Sequence, residues 1–154
     1  MYSSPFLRCL QTADLACQAL GLEGLHTHNN LCEFLDPGNR VTVTPAVPAT
    51  EDITQLKILS FDSTPIPDFP EKLNSVIVRY KEAVNKLADS HWPSNILAVS
   101  HEICVREACK LGGCNDDVEA TYCGHVELVR GSKDSHEWRL QTYQGVYKYD
   151  SVIE

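Results

Sequence analysis

The chain has 154 residues, 43% of them hydrophobic, enough to fill one core and too many for a disordered segment. Its 13 lysines and arginines stand against 21 aspartates and glutamates, a formal charge of −8 with no basic run, which argues against nucleic acid or an anionic membrane as a partner. An anionic ligand must then be caught by a local pocket; with no bilayer-length apolar stretch and no signal-peptide pattern, a soluble, cytoplasmic protein is expected.

Met1-Tyr2-Ser3 reads as the end of a strand leading into Ser4, and Pro5 to Leu20 reads as a helix. Its apolar residues Phe6, Leu10, Ala13, Cys17 and Leu20 recur at steps of four and three, with Arg8, Gln11, Asp14 and Gln18 on other faces and Gly21 as the stop. Ser4-Pro5 suits the start, because the first turn does not need the N–H that proline lacks. Arg8 then falls in that first turn, where free backbone N–H groups and the helix dipole favour an anion and a guanidinium adds a bidentate oxygen clamp. Alone, it would read as a surface arginine.

Leu22 to Glu33 is turn-rich and runs into Leu31-Cys32-Glu33-Phe34-Leu35. Glu33, a carboxylate among apolar neighbours, reads either as an exposed strand residue or as a carboxyl whose pKa is raised by partial burial, suited to donating a proton. Asp36 to Thr64 has prolines and no regular apolar period, so it reads as a long loop or insertion within one domain spanning 1–154. A lid, a substrate-selecting loop and a disordered surface insert are all compatible with it.

Pro67 to Ser90 carries the strongest helical pattern. Phe69, Leu73, Val76, Ile77, Tyr80, Val84 and Leu87 form one stripe, and Glu71, Lys72, Arg79, Lys81, Glu82 and Lys86 are placed on the solvated side. Ile96-Leu97-Ala98-Val99 is a short continuous apolar run, as expected of a strand buried on both faces. It leads to His101, and Glu102 to Leu111 reads as a helix stopped by Gly112-Gly113. His101 is therefore expected at the carboxyl edge of a parallel strand, where open α/β sheets bind ligands. Ala120 to Val129 and Trp138 to Tyr149 read as closing strands joined by a turn at Gly131-Ser132-Lys133-Asp134.

The seven cysteines are Cys9, Cys17, Cys32, Cys104, Cys109, Cys114 and Cys123, an odd set with no Cys-x-x-Cys pair, which points to reduced thiols. Cys104, Cys109 and Cys114 step by five, a rotation of about 140° on a helix, so they cannot share one face. Together with Cys123 and His125 they could suggest zinc, but the thiols read as buried core cysteines and His125 as a surface histidine, so no metal or other cofactor is expected.

Ser4-Pro5-Phe6-Leu7-Arg8-Cys9-Leu10-Gln11-Thr12-Ala13 resembles the Ser-Pro-x-x-Arg-x-x-Gln-Thr-Ala motif of the histidine phosphatase superfamily, the phosphoglycerate-mutase-like enzymes. Asn95 to His101 is similar to the strand that carries that family's second histidine, Leu31-Cys32-Glu33 to the segment of its proton-donating glutamate, and Ala120 to Leu128 to the strand that follows. The resemblance covers nearly the whole chain and is nearer to the eukaryotic broad-specificity phosphatases than to glycolytic mutases. It implies an α/β three-layer sandwich, with a mostly parallel central sheet and helices on both faces. It also implies phosphomonoester hydrolysis through a phosphohistidine, without a metal. On this resemblance Arg8 and His101 bind the phosphate of a phosphorylated small molecule or phosphoprotein, and Glu33 is the catalytic proton donor.

Two departures shape the expectation. Glu102 follows His101 where many members have glycine, placing a negative charge beside a phosphate site unless its side chain points away along the helix. The family's Arg-His-Gly, whose histidine is the nucleophile, does not occur in these residues, and none of His26, His28, His91, His125 or His136 takes its position. The expectation is an N-terminally truncated domain that keeps part of the phosphate pocket with little or no turnover. The alternative is a non-catalytic phosphate- or phosphopeptide-binding or protein-interaction module.

The Arg-His-Gly strand of the family would lie mid-sheet, between the strand ending at His101 and the one near Tyr122, so the first, central strand is expected to be missing. Each buried backbone group left unpaired costs about 1–3 kcal/mol. Three remedies follow: the Ala120 strand pairs directly with the His101 strand, a partner such as a second copy in a homodimer supplies a strand, or the chain is a fragment.

Overall fold

In the computed structural model, residues 1–34, 53–68 and 70–148 are described; 36–52 of the expected loop, Phe69 and Tyr149 lie outside them. In chain order the elements are β1 (Tyr2–Ser3), α1 (Leu7–Leu20), β2 (Leu25–Thr27), a 3-10 turn (Asn29–Leu31) and β3 (Ile58–Ser60). There follow α2 (Leu73–His91), β4 (Ala98–Val99), α3 (Glu102–Leu111), β5 (Val118–Arg130) and β6 (Trp138–Lys148).

Strands β3-β2-β1-β4 form a four-stranded sheet in that order, every pair parallel. Tyr2 lies opposite His26 and Ala98, and Ser3 opposite Thr27 and Val99, so alternate residues present alternate faces. On one face α1 buries Leu10, Ala13 and Cys17 against Leu25, with Val99 and Ile58 alongside. On the other, Val76, Tyr80, Ala83 and Leu87 of α2 join Ile103 and Cys104 of α3, with Leu31, Tyr2 and Ile96. The result is the expected α/β three-layer arrangement, helices on both faces of a parallel sheet.

Helix α1 stops where its apolar period ends, because Gly21 adopts the left-handed conformation (φ 66°) and its N–H reaches the carbonyls of Cys17 and Gln18. Helix α2 begins at Leu73 instead of Pro67, since Pro70 cannot donate into a helical ladder and disfavours helical backbone before it. Two residues placed on the solvated side by the sequence pattern are misplaced: the side chains of Arg79 and Glu71 are both buried, Arg79 Nη2 2.7 Å from Glu71 Oε2.

The apolar run 96–99 also departs from expectation. Only Ala98 and Val99 form the strand, and they sit at the edge of the sheet with Leu97 exposed. Among the described residues no strand pairs with the outer side of β4, and β5 pairs with β6 alone. The Ala120 strand therefore does not move over to the His101 strand. Strands β2 and β3 were not foreseen, and β3 falls inside the segment read as a loop.

The β5–β6 ribbon rests on α3 through Cys109, Val118 and Val146. At the seam, Leu140 N–H donates to the Gly112 carbonyl at 3.0 Å, and a Cβ on Gly112 would come within 2.7 Å of Leu128 Cδ2. Close by, at the hairpin end of the ribbon, Arg130 lies over the rings of Trp92 and Trp138, 5.4 and 5.2 Å from their centroids, and donates to Asp89 Oδ1 at 2.6 Å. Among the described residues no helix is long and apolar enough to cross a membrane.

Candidate functional site

Adjacent parallel strands bring their carboxyl ends together, and this is what assembles the site. Ser4, just past β1, donates its N–H to the Val99 carbonyl of β4 at 2.9 Å. Each strand then turns into a helix, so Ser4 leads to Arg8 in the first turn of α1, and His101 is the residue before α3. The helix starts supply free N–H groups on the side where the strands end.

His101 is buried, and its two ring nitrogens have different partners. Nε2 lies 2.8 Å from Ser4 Oγ, a group fully buried behind the ring. Nδ1 faces outward, 3.1 Å from Glu33 Oε2 and 2.9 Å from Arg8 Nη2. The arrangement in which Nδ1–H donates to Glu33 and Nε2 accepts from Ser4 leaves no imidazole lone pair facing the carboxylate. In it Arg8 satisfies Glu33 rather than the ring, and Arg8 Nη2 is indeed 3.1 Å from the same Oε2. The Phe6 ring meets His101 edge-on at 5.2 Å and lies under the Arg8 guanidinium at 5.0 Å.

Glu33 reaches the crevice because the chain after β2 is pinned from below by α2 and the β4 end. Arg79 Nη1 donates to the carbonyls of Asn30 (2.8 Å) and Cys32 (3.0 Å), and its Nη2 approaches the Glu33 carbonyl at 3.4 Å. The Tyr80 hydroxyl donates to the Cys32 carbonyl, and Ser100 Oγ to the Leu31 carbonyl at 2.7 Å. Arg79 is thus the residue that sequence reasoning missed. Its signal was a guanidinium eight residues from Glu71 on a helix whose neighbouring positions are apolar.

Electrostatically the three named residues form one unit. Burial pushes the Glu33 carboxyl up, but the His101 N–H and its charge, the Phe34 N–H and Arg8 outweigh it and hold the group below the ordinary glutamate value. That is opposite to the raised pKa considered for a proton donor. Burial pulls His101 down, against the opposing pull of Glu33, so the imidazole is neutral over more of the acid range. Cys9 Sγ sits 3.6 Å from Nε2 and donates to the Ser100 carbonyl; burial pushes its thiol to about 11, so it stays protonated.

The Glu102 carboxylate is turned along α3 toward Arg106, 3.6 Å away; burial, with a smaller push from Glu33, raises its pKa above the ordinary glutamate value. Of the other histidines, His26, His28 and His91 surround the Tyr2 ring with centroids at 5.3, 6.3 and 5.4 Å. His125 is exposed on the ribbon. All seven cysteines are free thiols, five of them buried, with Cys114 partly covered and Cys123 exposed. Among the described residues no group of three His, Cys, Asp or Glu side chains could hold a metal ion.

A parallel sheet covered by helices on both faces, with polar side chains gathered where neighbouring strands end, defines an α/β protein and is consistent with the phosphoglycerate-mutase-like fold. The family model of the histidine phosphatase superfamily (branch 1) matches residues 1–144, and the chain belongs to that superfamily. No curated protein matches it.

Proposed function

We propose that this domain recognises the phosphoryl group of a phosphomonoester, on a small molecule or a protein, at the crevice between Arg8 and His101, and that residues 1–154 alone bind it without hydrolysing it. One observation carries the reading: the donors of Arg8 and His101 converge within 3.1 Å of a single anionic oxygen, that of Glu33. Two cationic or N–H donors on one oxygen, at the mouth of a helix N-terminus, are the elements of a phosphate clamp. The Arg8 side chain is 56% exposed, so a phosphate presented by a larger molecule can reach it.

Hydrolysis would need an attacking group, and superfamily chemistry uses a histidine other than the one in the strand that ends at His101. Among these residues the remaining imidazoles lie around Tyr2, on the ribbon or in the turn beyond it. Glu33 is ionised at neutral pH, so it would protonate a leaving alcohol only after a bound dianion had raised its pKa. A cytoplasmic location, where free thiols remain reduced, fits the seven unpaired cysteines.

Calorimetric titration with inorganic phosphate and an assay with a chromogenic phosphate ester test both halves. Expected are saturable binding, weakened about tenfold or more in Arg8→Ala by loss of a charge-assisted pair, and no release of the chromophore. Absence of binding sinks the phosphate reading. Saturable hydrolysis that disappears in Arg8→Ala sinks the binding-only reading.

A further inference from the structure

We infer that the Glu33 carboxylate is a built-in occupant of the anion crevice, a latch that a phosphate must displace from Arg8 and His101 before it can bind. The inference rests on the phosphate reading above and adds to it a mechanism of control.

The geometry leaves an incoming anion no second route to the imidazole. A histidine offers two nitrogens, and Nε2 is committed inward to Ser4 Oγ at 2.8 Å, behind a ring whose side chain is 2% exposed. Only Nδ1 faces the opening, and Glu33 Oε2 stands 3.1 Å from it. The same oxygen lies 3.1 Å from Arg8 Nη2, so one carboxylate oxygen holds both donors at once. Its other oxygen, Oε1, accepts the Phe34 N–H at 3.0 Å, a contact that favours this pose and is given up when the side chain swings out.

An anion entering the crevice therefore meets a like charge where its own oxygen would go. Simple addition would set two negative groups on one pair of donors, a repulsive arrangement in a partly buried place. Displacement is the alternative, and the surroundings allow it. The Glu33 side chain is 35% exposed and Arg8 is 56% exposed, so both can swing outward, whereas His101 and Ser4 cannot. The backbone beneath Glu33 stays in place because Arg79 and Tyr80 hold the carbonyls of Asn30 and Cys32. The moving part is thus one side chain on a fixed base, and its release energy sets the threshold for ligand.

Isothermal titration of the whole chain with inorganic phosphate, for wild type, Glu33→Gln and Glu33→Ala, measures the threshold. The latch predicts that phosphate binds both variants more tightly, by roughly tenfold, the usual scale of a coupling between two competing contacts. Glutamine keeps the shape and loses the charge, while alanine removes the group, so agreement between them separates competition from misfolding. Circular dichroism confirms that each is folded. Unchanged or weaker phosphate binding in both folded variants overturns the latch while leaving the phosphate site standing. Phosphate binding to none of the three proteins overturns the phosphate reading, and the latch with it.

Discussion

The parallel sheet and the β5–β6 ribbon meet the same requirement, pairing of backbone groups, in opposite ways. The sheet uses very short strands, two or three residues each, whose ladders are covered on both faces by helices. The ribbon uses two long strands that, among the described residues, pair only with each other and touch the rest through α3 and a few side chains. Short covered strands place their ends rigidly against helix starts, and the crevice is there. A long ribbon places nothing so tightly: its ladder breaks between Ala120 and His125, Cys123 has φ 61°, and Tyr122 is wholly exposed. The candidate site sits where the pairing is shortest and helices cover both faces.

The sharpest way to break that contrast is to remove the charge that ties the sheet half together. Arg79→Met leaves Glu71 buried without its partner, the Asn30 carbonyl without this donor and the Cys32 carbonyl with the Tyr80 hydroxyl alone of its two. Losing one partner of a buried pair costs about 3–5 kcal/mol. Urea denaturation should show it, and a loss below about 1 kcal/mol, the scale of an exposed pair, would mean that the tie is ornamental.

On the ribbon, Arg130→Leu removes a guanidinium stacked on two indoles and paired with Asp89, worth about 1–2 kcal/mol. Hydrogen exchange should then accelerate over 118–148 while the sheet amides keep their protection. Equal acceleration in both regions would show that the two open as one unit. A smaller effect belongs to Ser4→Ala, which strips the inner partner from His101 Nε2. It should cost about 1 kcal/mol and weaken phosphate binding as well, since the imidazole is then free to turn.

Acid gives the mildest probe. Burial pulls down the pKa values of His26, His28 and His101, so in this range the unfolded chain binds more protons than the folded one. Stability is then full above the free imidazole value of about 6.5 and is lost as the pH falls below it. Urea midpoints should drop between neutral pH and the lower folded-state values. A flat profile would show that these imidazoles keep their water in the folded protein.

The long periodic elements could be read from the residues, because burial of one helix face leaves a repeating mark. Helix α3 runs Glu102–Leu111 as its glycine stop foretells, and α1 ends at the foreseen Gly21. Strands β2 and β3 left no such mark, since three residues cannot show a period. The exposure of Leu97 and Ala98 was also hidden: an apolar run does not report how completely the helices cover it. Within the site, Arg8, Glu33 and His101 come together as the motif resemblance implied. Ser4 as the partner of Nε2 could not be read, and the signal of Arg79, its spacing from Glu71, did not reveal what it props, because both act through contacts 46 to 97 residues apart in the chain.

Gly112 carries a last consequence. Its carbonyl receives Leu140, and the space its missing side chain would need is taken by Leu128 and Leu140, whereas Gly131 has open space around it. In a complete scan of single substitutions, position 112 should therefore be intolerant of every residue with a Cβ, alanine included, while position 131 accepts most. A surface helix terminus would then show the mutational profile of a core residue, and anyone grafting a different ribbon onto this scaffold would have to preserve that one vacancy first.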